Sequence, residues 1–195
     1  MATIDWPREL TPQSSDFGVA YNSMLFTSIF SNAQQVVSFP GDCWQLSMSL
    51  PPIGRDKERI LAATLGQLRG MVNTFRFRDR RFLNTSNMGS PVVNGNGQTG
   101  INLTTSSWPA STTVLRAGDY ITVAEQMFQM TADVTSNSSG IAVLPLNMMI
   151  RESPASGAAI NYKDPYCVMR LTTPTNQIKR QVGQAGITLN AREAF

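Results

Sequence analysis

Apolar and polar residues alternate with a period of two over several short stretches, and only one stretch keeps a helical period. In residues 24–30, Met24, Phe26, Ser28 and Phe30 alternate with Leu25, Thr27 and Ile29, so both faces carry bulk. That pattern predicts a strand buried on two sides. Residues 35–39 predict a second strand. Trp44, Leu46, Met48 and Leu50 then alternate with Gln45, Ser47 and Ser49, the pattern of a half-exposed strand. Pro51 and Pro52 end it, because proline cannot donate to a ladder. A helix is predicted next, with Asp56 as its N-cap after Gly54 and Gly70 as a left-handed C-terminal cap. Leu61, Leu65, Leu68 and Val72 form its apolar face, opposite Arg59, Ala63 and Gln67. Residues 74–82 return to strict alternation, with Phe75 and Phe77 on one face and Arg76, Arg78 and Arg80 on the other.

The middle of the chain changes character. Residues 84–112 are rich in turn chemistry, and Asn94-Gly95-Asn96-Gly97 is a strong hairpin signal. Short apolar runs follow within residues 114–150, separated by polar turns. Several short strands joined by tight turns predict a small barrel-like β-module of OB or SH3 type. Residues 155–159 are a small-residue linker, and strands resume at 166–171, 177–183 and 187–191. The expected organisation is mainly β. A β-sandwich with one covering helix spans residues 1–83 and 160–195, and a β-module is inserted at 84–159. The ends of such an insertion must lie close together.

Composition narrows the chemistry. The chain has 195 residues, no histidine and only 15% charged residues, while Ser, Thr, Asn and Gln together number 60. Without imidazole the usual triads and histidine-built zinc sites are excluded. No spacing of Lys57, Lys163 or Lys179 with a serine, nor of two carboxylates, marks a catalytic pair. Cys43 and Cys167 are expected to be buried and reduced. The glycines of residues 95–97 lack the lysine and helix start of a phosphate-binding loop. No enzyme and no cofactor is expected. The start lacks the basic-then-apolar layout of a signal peptide.

The net charge of +3 is unevenly placed: residues 55–81 hold eight basic and three acidic side chains. Arginines two residues apart on one strand face repel unless something compensates them. Base stacking needs exposed aromatics, whereas Phe75 and Phe77 face the other way. Arg76, Arg78 and Arg80 are therefore expected at a subunit interface or on a solvated face rather than on nucleic acid. Trp108, Tyr120 and Phe128 can form a stacking face for carbohydrate, but packing in the small module explains them more simply.

Several stretches together resemble the distal tail proteins of long-tailed bacteriophages. They are residues 40–52 (PGDCWQLSMSLPP), 68–77 (LRGMVNTFRF), 115–121 (LRAGDYI) and 133–144, with Arg170-Leu171 and residues 191–195 (AREAF) at the end. The resemblance lies in their order and spacing. It implies a hexameric ring at the tail tip that joins the tail tube to the baseplate hub and leaves a channel for DNA. The implied fold is a β-sandwich with one helix. The implied partners are further copies of the chain, the tail tube protein, the baseplate hub and other tail-tip proteins, with genome DNA only in transit and no membrane. The implied location is the virion, after assembly in the host cytoplasm. No galectin-like C-terminal domain is visible. Other tail ring proteins (tube, terminator or hub-type) and a nucleic-acid-binding module are the alternatives.

Overall fold

Backbone pairing in the computed structural model, which describes residues 2–181 and 184–195, makes the chain mainly β with one α-helix. In chain order the first elements are β1 (Thr3–Asp5), β2 (Ser14–Ala20), β3 (Ser23–Thr27), β4 (Gln34–Ser38), β5 (Cys43–Ser49), α1 (Arg55–Leu68) and β6 (Thr74–Phe77). A 3-10 turn at Arg80–Phe82 precedes β7 (Val92–Val93), β8 (Gly100–Ser106), β9 (Thr113–Leu115), β10 (Tyr120–Val123), β11 (Gln126–Gln129) and β12 (Val134–Thr135). The last elements are β13 (Ala142–Ile150), β14 (Cys167–Leu171), β15 (Lys179–Gln181), β16 (Gln184–Gly186) and β17 (Thr188–Glu193). Contacts group them into two compact units. One comprises Met1–Trp6, Val72–Met169 and Ala194–Phe195; the other comprises Pro7–Met71 and Arg170–Glu193. The segment 84–159 lies wholly within the first unit.

In the first unit, β1 runs parallel to β6, and β6 antiparallel to β14. Phe75 and Phe77 of β6 are buried as the alternation predicts, with Trp6 tilted against Phe75 at 5.4 Å between ring centres. The Asn-Gly signal forms a hairpin between β7 and β8. Gln98 braces it: its Oε1 accepts from Thr104 N at 2.6 Å, and its Nε2 donates to Asn94 O at 2.9 Å. β10 and β11 form a second hairpin, whose turn residues Ala124 and Glu125 both have positive φ (47° and 63°). Such turns match the strand twist. Asn84 N donates to Lys163 O at 3.1 Å, which ties the start of the segment to the chain four residues beyond its end. Its strands pair as β13-β8-β7, β10-β11 and β12-β9, and among the described residues these ladders do not close into a barrel. The strands are too short and too often interrupted for a continuous ladder to return to its start.

In the second unit β5 lies between β17 and β2, antiparallel to both. Trp44, Leu46, Met48 and Leu50 are buried, as predicted for the inward face, and Phe17 of β2 stacks on Trp44 at 4.6 Å. Helix α1 starts two residues earlier than expected. Its N-cap is Gly54, without a side-chain cap, and Asp56 and Glu58 lie in the first turn, where they favour the positive end of the helix dipole. Leu61, Thr64 and Leu68 are its buried positions. The apolar stripe does not continue to Val72, which is exposed, because Arg69 and Gly70 turn the chain left-handed (φ 51° and 66°).

Two further expectations fail locally. The stretch 24–30 is not a strand buried on two sides: β3 ends at Thr27, is exposed throughout, and among the described residues pairs only with β4. The alternation of residues 74–82 also stops early, since Phe82 leaves the arginine face and is buried. Strands β1 and β2 carry too little alternation to be read from sequence. Of the predicted stretch 177–183, residues 182 and 183 lie outside the described residues.

Candidate interaction surfaces

The arginine segment is the first surface that sequence singles out. β6 turns Arg76 away from the core that holds Phe75 and Phe77, and the parallel register places Asp5 of β1 opposite it. Arg76 Nη2 donates to Glu125 Oε1 at 3.1 Å, and its Nη1 lies 3.9 Å from Asp5 Oδ1. Arg78 Nη1 donates to Asp5 Oδ1 at 2.7 Å, and its Nε lies 3.4 Å from Asp164 Oδ2. Both guanidinium groups lie over the Tyr166 ring, 5.3 and 5.1 Å from its centre. The Tyr166 hydroxyl in turn donates to Glu125 Oε1 at 3.0 Å.

Three carboxylates and one aromatic face thus compensate the repulsion between Arg76 and Arg78 within the chain. The hydrogen bond to Glu125 raises the Arg76 pKa. Burial, then the bond to Glu125, raises that of Tyr166. Arg80 does not join them. Asp79 accepts from Arg81 N at 3.0 Å and from its guanidinium at 2.6 Å, which starts the 3-10 turn. Arg80 therefore sits exposed on that turn, with no ion pair among the described residues. Sequence missed the partners because Asp5, Glu125 and Asp164 come from three distant segments, and none stands in a recognisable pattern.

The second surface is the hairpin β3–β4, which sequence placed in the core. Its register runs from Ser23 opposite Ser38 to Thr27 opposite Gln34. At its root Phe39 N donates to Asn22 O at 2.7 Å, and Asn22 Nδ2 donates to Pro40 O at 2.9 Å. At its tip Ser28 N donates to Ala33 O at 2.9 Å. Every residue of β3 is exposed, and at the tip Ile29 and Phe30 are 87% and 95% exposed. Met24 and Phe26 point to one face and Leu25 to the other, so neither face is covered. Residues 17–41 carry no charged side chain. The signal for this exposure was available in part: a two-sided apolar pattern also fits a strand that some other molecule covers.

The remaining candidates belong to the core. Trp108 and Phe128 are buried; Trp108 Nε1 donates to Thr105 Oγ1 at 2.7 Å. Tyr120 packs on Phe82 at 4.5 Å and its pKa is raised, chiefly by burial. No carbohydrate-stacking face results. Cys43 and Cys167 are both buried, and neither is in a disulfide. Among the described residues no cluster of acidic or cysteine side chains can hold a metal ion, and no helix is long and apolar enough to cross a membrane. No protein-family model matches the chain. The search of curated proteins gave no match either.

Proposed function

We propose that this chain is a structural component of a phage tail tip, built into a hexameric ring that joins the tail tube to the baseplate hub and leaves a channel for DNA. The observation that carries this reading is the folding of the stretches that bear the resemblance. Residues 40–52 contain β5, and residues 68–77 contain the last residue of α1 and β6, within a mainly β chain with one helix. A mainly β chain with one helix agrees with the coarser part of what the resemblance implies. The arginine cluster supports a structural role over nucleic-acid binding. Arg76 and Arg78 are engaged by Asp5, Glu125 and Asp164, and a phosphate backbone would have to displace those carboxylates.

Electron microscopy of the purified protein tests the reading, with a six-fold ring around a central hole expected. Counting copies in purified particles completes the test. One ring per particle fits a tail-tip protein. A number that scales with tail length would instead make it a tube subunit, and absence from particles would end the proposal.

A further inference from the structure

The hairpin β3–β4 presents apolar side chains on both faces, has two open strand edges and carries no charge, and nothing among the described residues covers it. An isolated two-stranded hairpin is marginally stable in water. Met24, Leu25, Phe26, Ile29, Phe30 and Val36 alone are 52% to 95% exposed. Together they leave on the order of 800 Å² accessible, about what one partner contributes to a standard-size interface. That area is divided between the two faces and the tip of the hairpin, and exposed apolar surface of this extent marks an interaction site.

The composition of the hairpin selects its partner. Residues 17–41 offer no charge to a polyanion or to an acidic or basic protein surface. Anchoring to an anionic membrane surface adds lysine or arginine to the apolar residues, and this segment has neither. The chain itself supplies a complementary seat. β2, which leads directly into the hairpin, pairs only with β5 among the described residues, so its other edge is open. An open edge invites a strand from another molecule. Each copy thus holds one arm and one receiving edge, and a head-to-tail contact of that kind gives a ring where its rotation closes and a filament where it does not.

We infer that the β3–β4 hairpin is an assembly arm that packs against a second copy of this chain, with one strand edge along the open edge of that copy's β2. The number of copies rests on the ring reading; the seat of the arm does not.

The test uses the full-length chain and the double variant Ile29→Asp/Phe30→Asp. Both residues lie at the exposed tip, so the thermal melt of the monomer should not change. The concentration for half-assembly, measured by analytical ultracentrifugation, should rise roughly 100-fold. Val36→Asp, on β4, should act in the same direction. In the assembled wild type, hydrogen exchange should slow in residues 14–20 and 23–38 relative to the dilute chain. A double variant that assembles like the wild type overturns the arm and leaves the ring reading standing, and so does unchanged exchange in those residues. Assemblies of another copy number that the variant abolishes support the arm and overturn the six-fold ring. A wild type that stays monomeric at every concentration overturns both. Vesicles of phosphatidylcholine, with and without phosphatidylglycerol, are the last probe: hairpin-dependent binding to them without self-association would assign the arm to a lipid surface and overturn the proposal.

Discussion

At the scale of single residues, some polar atoms under the surface are matched by specific partners that the local sequence does not announce. Glu193 is 4% exposed, and its Oε2 accepts from Trp44 N at 3.1 Å, which turns a buried acid into a fastening between β17 and the start of β5. Tyr166 is the best residue for a measurable pH effect. Burial, then its hydrogen bond to Glu125, raises its pKa above the ordinary value of 10.0. The folded chain therefore holds the phenolic proton more tightly than the unfolded chain. Its contribution to stability is whole below about pH 10 and is lost as the pH rises through the folded-state value. Tyr166→Phe should flatten the loss of stability above pH 10, as read by urea midpoints across that range. Tyr120, raised for the same leading reason, keeps part of the slope in the variant. An identical pH profile in variant and wild type would show that the Tyr166 proton is not held this way.

At the scale of elements, endings matter as much as patterns. The apolar stripe of α1 would continue in a longer helix, but the chain leaves it at Arg69 and Gly70. Gly70 has φ +66°, and a Cβ built there would lie 2.8 Å from Pro174 O. Strain and close approach act together, so Gly70→Ala should cost more than about 1 kcal/mol. The urea midpoint should fall with an unchanged slope, since the surface exposed on unfolding stays the same. A midpoint equal to the wild type would mean that the helix end relaxes freely. A similar early ending governs β6, where Asp79 caps the 3-10 turn and draws Arg80 away from Arg76 and Arg78. The surface ion pairs left behind, with carboxylates 36% to 62% exposed, are worth about 0–1 kcal/mol each. Their main effect is to hold two arginines side by side without repulsion.

At the scale of the whole molecule, the contrast between the two surfaces sets how the chain should behave in salt. An arm without charge loses nothing to screening, and apolar burial does not weaken as ionic strength rises. Assembly should therefore persist in about 1 M salt, where the Debye length is near 3 Å. Sedimentation at low and high salt checks this. Dissociation by salt would transfer the interface to the arginine cluster, and steep salt-dependent binding to DNA would favour the nucleic-acid alternative.

Sequence alone determined the class of the chain and the inner faces of its best strands. Trp44, Leu46 and Met48 had to face inward because alternation on a pleated strand leaves them no other side, and Phe75 and Phe77 follow the same rule. The Asn-Gly turn at residues 94–97 and the single helix were legible for equally local reasons. Tertiary structure decided everything that depended on distant partners. It brought Asp5, Glu125 and Asp164 to two arginines more than 45 residues from the latter two. It stopped β6 at Phe77, and it left residues 23–38 outside the core that their composition suited. A local pattern specifies which faces of a segment must be covered; only the folded chain decides whether the cover comes from within it.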